Sequence, residues 1–412
     1  MSLLSGPRPK SETTVGPAPR RIFTALFGAI FATLLGAGIV APLLPVYARS
    51  LGAGGLTIGF IFAAFSITRT VFLPYFSRLS DRRGRRNLIL AGLFFYALCS
   101  LLYTLGHSTS LLIATRLLQG GAAAMVWPIA AAYVGDITPP GREGTYMGLF
   151  NLATFSGLAA GPFLGGILKD LAGINAAFYA MGGMTLLGFG LAFVLLPAQE
   201  PYRARPQGRQ PGSLQILREY RVLRGIFLFR FLATSCIALV WSFQPLYLDT
   251  VHHLSASWIG LLISLNVAVS AALQAPMGRL ADRFSRIRMI QIGAGIQALA
   301  LILLPFCHTL DLLLAVNIGL GVAGGIFLPA IQAIITEVGR EAKMMGAIMG
   351  TLFVAQSLGM SVGPLLAGAL FGFVDFRVIF YVGSGLVVLS LVPVLVYLKP
   401  AEATSSAARP GR

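Results

Sequence analysis

Ser77-Arg78-Leu79-Ser80-Asp81-Arg82-Arg83-Gly84-Arg85-Arg86 lies between two long apolar stretches, and an edited copy, Gly278-Arg279-Leu280-Ala281-Asp282-Arg283-Phe284-Ser285-Arg286, returns 201 residues later. A charged hairpin used twice in so apolar a chain points to a duplicated membrane-embedded unit. Of the 412 residues, 56% are hydrophobic and only 11% charged, against about 25% charged in an ordinary soluble domain. The formal charge of +17 does not mark a nucleic-acid partner, because the Lys and Arg fall in short runs between apolar spans rather than on one polar face.

Twelve windows have bilayer-spanning length. They run over 22–47, 57–77, 87–106, 110–134, 145–168 and 175–197, and then over 223–248, 257–278, 288–307, 311–335, 346–371 and 377–398. This predicts an all-α membrane protein of two pseudo-symmetric six-helix bundles. Its divisions would be a tail (1–21), a first bundle (22–197), a basic linker (198–222), a second bundle (223–398) and a tail (399–412). The first apolar run is too long for a signal-peptide core and reads as an uncleaved span. With the N-terminus inside, 25 of the 31 basic residues fall on the inner side and only Arg49, Lys169 and Arg377 on the outer. That bias puts both termini in the cytoplasm of a plasma (inner) membrane.

The duplication can be followed by residue number. Pro42 matches Pro245, Asp81 matches Asp282, Pro128 matches Pro329, and Gly161-Pro162 matches Gly363-Pro364, at offsets between 201 and 203. Gly157 likewise matches Gly359. Parallel repeats of this kind place a transported molecule between the halves near the midplane.

Together, the Asp-Arg-x-Gly-Arg-Arg turn after span 2, its degenerate copy after span 8 and twelve spans split by a basic linker resemble the major facilitator superfamily. Arg116-Leu117-Leu118-Gln119-Gly120-Gly121 and Gly157-Leu158-Ala159-Ala160-Gly161-Pro162-Phe163-Leu164-Gly165-Gly166 are similar to the twelve-helix drug:proton antiporter, or multidrug efflux, branch. The resemblance implies a secondary active exporter of small amphipathic compounds, working by alternating access. It also implies that Asp81 engages the N-terminus of span 11 when the protein is open outward, with Asp282 as the symmetric group against span 5. Asp81, Arg82, Gly84, Arg85, Arg86, Asp282 and Arg283 are therefore gating candidates. So are Gly157, Gly161, Pro162, Gly359, Gly363 and Pro364, whose small residues and prolines allow close, kinked packing. Gly84 suits a turn needing positive φ. Ser285 stands where the second copy would need that glycine, so the first latch is expected to be the stronger.

Three arginines lie within spans, Arg69, Arg116 and Arg230, each costing about 2.5–3.5 kcal/mol at a helix centre and so expected to face protein or water. Arg230 is near enough to a helix end to snorkel. No Asp or Glu lies mid-span, and Thr33 stands before Gly36-Ala37-Gly38, where many proton-coupled relatives of the resembled branch carry an acid. Proton-coupling candidates are then Asp81, Asp136 and Glu337 at the inner rim.

Substrate-binding candidates are Arg69, Arg116, Gln119, Trp127, Asn151, Trp241, Gln244, Asn266, Asn317 and Gln356. An interior with arginines but no carboxylates favours neutral, zwitterionic or anionic molecules. It keeps open a second reading, export or flipping of anionic metabolites or lysolipids through the arginines. A transport-dead sensor is a third, though it would be expected to carry an added soluble domain. No span holds a Ser-His, His-Glu or paired-carboxylate arrangement, and no phosphate-binding glycine loop occurs, so neither an enzyme nor a cofactor is expected. Cys99, Cys236 and Cys307 lack metal-ligand spacing. The expected partners are the lipid bilayer, a small-molecule substrate and protons, with the chain as a monomer.

Overall fold

A computed structural model describes residues 19–106, 108–139, 142–197, 213–342 and 344–398. The expected tails (1–21 and 399–412) and the linker (198–222) therefore lie largely outside the described residues. Among the described residues, twelve helices are long and apolar enough to cross a membrane. We number them α1 (Pro19–Val40), α2 (Gly55–Arg83), α3 (Arg85–Leu105), α4 (Thr109–Ile137), α5 (Glu143–Ala172), α6 (Ile174–Leu195), α7 (Arg221–Thr250), α8 (Ala256–Ala281), α9 (Arg286–Leu303), α10 (Leu310–Glu341), α11 (Met345–Leu370) and α12 (Phe376–Pro393). All-helical spanning follows from the solvent, since lipid offers no partner to a free backbone N–H or C=O.

Hydropathy and helix ends part company at the charged residues. The 57–77 window stops where arginines begin, but α2 continues to Arg83 and ends at Gly84, whose φ of 89° provides the turn into α3. Ser285 in the second hairpin keeps a negative φ and instead caps α9, its Oγ accepting from Arg288 N at 3.4 Å. The first window, 22–47, is divided: α1 stops at Val40, and a short helix, Leu43–Ser50, follows the Ala41-Pro42 turn. Proline at 42 has no N–H to continue the ladder. Its repeat partner Pro245 is absorbed inside α7. Part of the expected linker is helical too, Ser213–Glu219, and buries Ile216 in the cluster that contains Leu223 and Ile226 of α7.

Glycines set how closely the helices approach. A Cβ on Gly157 would lie 2.7 Å from the Phe31 carbonyl oxygen, and one on Gly161 would lie 2.6 Å from Gly38 Cα, so this row packs α5 onto α1 within the first half. Gly359, 2.6 Å from the Phe231 oxygen by the same construction, and Gly363, against Ser235, pack α11 onto α7 within the second. These glycines, expected as gating residues, thus pack within each half, and the carbonyls of the prolines beside them meet the other half. The Pro162 carbonyl meets Gly260 of α8, and the Pro364 carbonyl meets Gly59 of α2. Gly166 against Ala256 and Gly368 against Gly55 continue these lines. Two seams related by the repeat, α5/α8 and α2/α11, therefore close the molecule at the end away from the charged hairpins.

The seams differ in chemistry. On α5/α8 the Asp170 carboxylate accepts from Ala256 N (3.1 Å), Ser257 N (2.8 Å) and Ser257 Oγ (2.6 Å), a negative charge on the N-terminus of α8. Phe163 N donates to Ser264 Oγ at 3.0 Å about two turns further in. On α2/α11 the corresponding place is aromatic: Phe371 packs on Phe243 and Phe376, with the Arg49 guanidinium 5.5 Å over its ring. At the hairpin end, a Cβ on Gly144, Gly148, Gly346 or Gly350 would meet nothing within 4 Å, so these faces of α5 and α11 are open there, while Tyr146 packs on Phe23 and Ile348 is buried within its own half. The halves are closed at the far end and parted at the hairpin end.

Two predictions separate the packing roles. Gly161→Ala overpacks one half and is expected to cost about 1–3 kcal/mol, read as a lower melting temperature of the purified protein. Asp170→Ala removes the charge on the α8 N-terminus, and because the site is exposed the far-open population should rise only roughly two- to fivefold. Labelling of a cysteine at position 266 by a membrane-impermeant maleimide from the far side reads that population. An unchanged rate would show that Asp170 does not hold the seam.

Candidate functional site

The seams cover a crevice to which both halves contribute. It is lined by Ala41 and Pro42 at the break after α1, Pro162 of α5, Trp241 and Gln244 of α7, and Ile263 and Asn266 of α8. The prolines that interrupt or bend their helices thus stand at its wall. Gln244 is buried and held by donating from Nε2 to Asn317 Oδ1 of α10 at 3.0 Å, and Asn317 in turn donates to the Leu313 carbonyl at 2.9 Å. Trp241 is half-buried, and Asn266 forms no side-chain hydrogen bond to another described residue. One amide is fixed by its neighbours and the other is left for whatever enters. The lining is mostly apolar with a few amide and indole donors, chemistry that suits an amphipathic guest, but in this conformation the crevice is narrow and a drug-sized guest would need it to widen.

Towards the hairpin end, Trp127 of α4 and Phe353 of α11 meet edge to face with centroids 6.2 Å apart, an aromatic contact between the halves. Trp127 Nε1 donates to Thr154 Oγ1 of α5 at 3.3 Å, which fixes the ring. Trp127 was legible as an indole beside Pro128; its partner Phe353 was not, since an isolated Phe in a membrane span looks like any other apolar residue.

The first half holds a separate polar cluster. Arg116 of α4 donates to the Ile61 carbonyl (Nε, 3.2 Å) and to Gln119 Oε1 (2.9 Å). Its guanidinium also lies 5.3 Å over the Phe62 ring and 4.6 Å over that of Phe65. Gln119 Oε1 accepts a second bond from the Tyr103 hydroxyl at 2.7 Å. Arg116 and Gln119 therefore anchor α4 to α2 and α3, and their donors and acceptors are largely spent inside the half. Arg230 does not snorkel to the helix end. It donates to Gln356 Oε1 at 2.7 Å, tying α7 to α11, while its Nε stays sealed without a partner. Asn151 is exposed on α5 and joins neither group. The ten binding candidates thus divide among the crevice, the Trp127–Phe353 contact, two arginine ties within the halves, exposed Asn151, and Arg69.

At the hairpins, Arg85 binds Asp136 at the end of α4 through Nε and, at 3.2 Å, through a terminal nitrogen. It also approaches Asp81 at 3.6 Å. In the second half Arg286 binds Glu337, and both pairs span 51 residues, so the repeat carries the ion pair with it. Asp282 has no ion pair among the described residues, which leaves the Asp81 approach without a copy. Arg86 donates to the Leu196 and Phe193 carbonyls at 2.8 and 2.9 Å, fixing the start of α3 to the end of α6. Asp81 is 45% exposed and has no hydrogen bond or ion pair to α11 among the described residues. Asp136 and Glu337, expected as proton carriers, are ion-paired; protonating either would break its arginine contact. Sequence reading missed Asp170 and these pairings, although carrying Arg85 and Asp136 forward by the repeat offset lands on Arg286 and Glu337.

Comparison with known proteins agrees with this geometry. The family model described as Major Facilitator Superfamily matches residues 26–258 and 226–412. An uncharacterised MFS-type transporter of Methanocaldococcus jannaschii is 29% identical over 86% of this chain and 92% of its own. The quinolone resistance protein NorA of Staphylococcus aureus is 27% identical over 92% of this chain and 96% of its own. A crystal structure of a mutant of the nucleoside transporter NupG superposes with a TM-score of 0.78 at 12% identity, over 92% of this chain and 100% of that one. Paired hairpins, two symmetric seams and a crevice shared between halves are thus found in a chain that belongs to the major facilitator superfamily of membrane transporters, with relatives among multidrug efflux proteins.

Proposed function

We propose that the chain is a secondary active exporter of small amphipathic compounds, with the hairpin end and both termini in the cytoplasm. The six-helix units 22–197 and 223–398 would rock about the crevice, exposing it alternately to each side. The observation that carries this reading is a crevice built from both halves, closed at one end by two symmetric seams and parted at the other. Similarity to NorA along nearly the whole length supports efflux as the direction. The absence of any carboxylate among the lining residues favours neutral, zwitterionic or anionic guests, since a cation would find no counter-charge.

Proton coupling, if the exporter uses it, would run through the hairpin acids. Asp81 is the best placed of the three candidates, being half exposed and only loosely paired, and the family resemblance assigns it to the α11 N-terminus when the hairpin end closes. A proton on Asp81 would weaken that closure and bias the protein towards the inward-open state.

Flux of a fluorescent quinolone into acid-interior proteoliposomes tests both parts, with protein-free liposomes correcting for passive accumulation. A pH gradient should speed protein-dependent flux by about fivefold or more, and Asp81→Asn should erase the acceleration while leaving gradient-free exchange. Equal flux with and without the gradient removes proton coupling. Flux no greater than in protein-free liposomes removes the exporter reading.

A further inference from the structure

Arg69 is the one intramembrane arginine that the fold leaves unspent. Arg69 lies twelve and eight residues from the two ends of the apolar 57–77 window, about 18 and 12 Å of helix, well inside the span. Arg116 has a carbonyl, an amide and two rings, and Arg230 has Gln356, whereas Arg69 has no hydrogen bond or ion pair to any described residue. The hydroxyls beside it are committed to their own helix: Thr68 Oγ1 donates to the Ala64 carbonyl at 2.9 Å and Thr70 Oγ1 to the Ser66 carbonyl at 2.7 Å. Its one electrostatic neighbour is the hydroxyl of buried Tyr96 on α3, a neutral group. No nitrogen of Arg69 is among the sealed, unpartnered atoms that include Arg230 Nε, so the guanidinium reaches an accessible surface.

That surface is not the lipid face. Leu56, Phe60, Ile67, Val71 and Tyr75 lie about 120–180° round α2 from Arg69 at 100° per residue, while exposed Phe72 stands about 60° away, one turn nearer the parted hairpin end. Arg69 shares its face with buried Ile58 and with Phe62 and Phe65, the two rings under Arg116. The repeat offset of 201 puts Ser270 at the matching place in α8, so the charge belongs to one half only and is no part of the symmetric packing.

We infer that Arg69 is an anion anchor of the transport pathway, accepting the carboxylate of a monoanionic amphipathic substrate while the apolar body lies along the Phe62 and Phe65 side of α2. One uncompensated charge calls for one negative charge, and the planar fork of a guanidinium matches a carboxylate with two parallel bonds. This deepens the exporter reading and rests on it, adding a substrate class to a pathway that the crevice alone leaves undetermined.

The test is a binding titration of the purified full chain in nanodiscs with 1-pyrenebutyrate and with its methyl ester, which differ at the acid alone. The acid should bind the wild-type protein about tenfold tighter than the ester, as expected for a charge-assisted pair. Arg69→Gln should abolish that preference by weakening the acid only. Arg69→Lys, which keeps the charge but loses the fork, should retain part of it, and it serves as the variant if Arg69→Gln does not fold. Equal wild-type affinity for acid and ester, equal loss of both in Arg69→Gln, or no binding of the acid would each overturn the inference. Ester binding or quinolone flux that survives such a result leaves the exporter reading standing, so the two fail separately.

Discussion

Two glycines pressed against two proline carbonyls set the geometry of the molecule. Gly260 faces the Pro162 carbonyl and Gly59 that of Pro364, and a side chain larger than hydrogen at either glycine would collide with backbone. In a bilayer there is no hydrophobic drive to bring helices together, so association depends on such close backbone approach. Each proline also lacks the N–H that would pair with the carbonyl four residues earlier, which loosens its helix beside the seam. The seams made in this way bring the far ends together and leave the hairpin ends apart, and the crevice is what remains between them.

The arrangement also separates rigid from movable contacts. Within each half, the glycine row of α5 against α1 and of α11 against α7 gives interlocked, non-polar packing. Arginine ties to carbonyls and amides, such as Arg116 to Ile61 and Arg230 to Gln356, reinforce it. Between the halves the close glycine–backbone approach of the two seams is joined by contacts of exchangeable kinds: hydrogen bonds from the α8 N-terminus to Asp170, a serine on the Phe163 amide, an aromatic edge at Trp127 and Phe353. Polar contacts of that sort lose little when water replaces the partner.

Much of the fold was legible because bilayer length, positive charge and the repeat are all written along the chain. The hairpins, the proline anchors and the turn at Gly84 needed only local reasoning. The roles of Arg116 and Gln119 were not legible, since which carbonyl an arginine meets depends on how α4 lies against α2. The division of the exporter-like segment was hidden for the same reason: Gly161 and Pro162 are adjacent in sequence, but they face opposite ways, one into its own half and one across the seam. Asp170 was overlooked because a carboxylate at a helix end looks solvated until the amides of Ala256 and Ser257 are seen to point at it.

The central claim is that the two ends open in alternation about fixed halves. Paired spin labels at Arg83 and Gly346 on the hairpin end, and at Gly54 and Phe373 on the far end, report both openings in one protein. The account predicts opposite changes as pH or bound ligand is varied, with the hairpin-end distance shortening whenever the far-end distance lengthens. Distances that change together, or that stay fixed while transport continues, would contradict it.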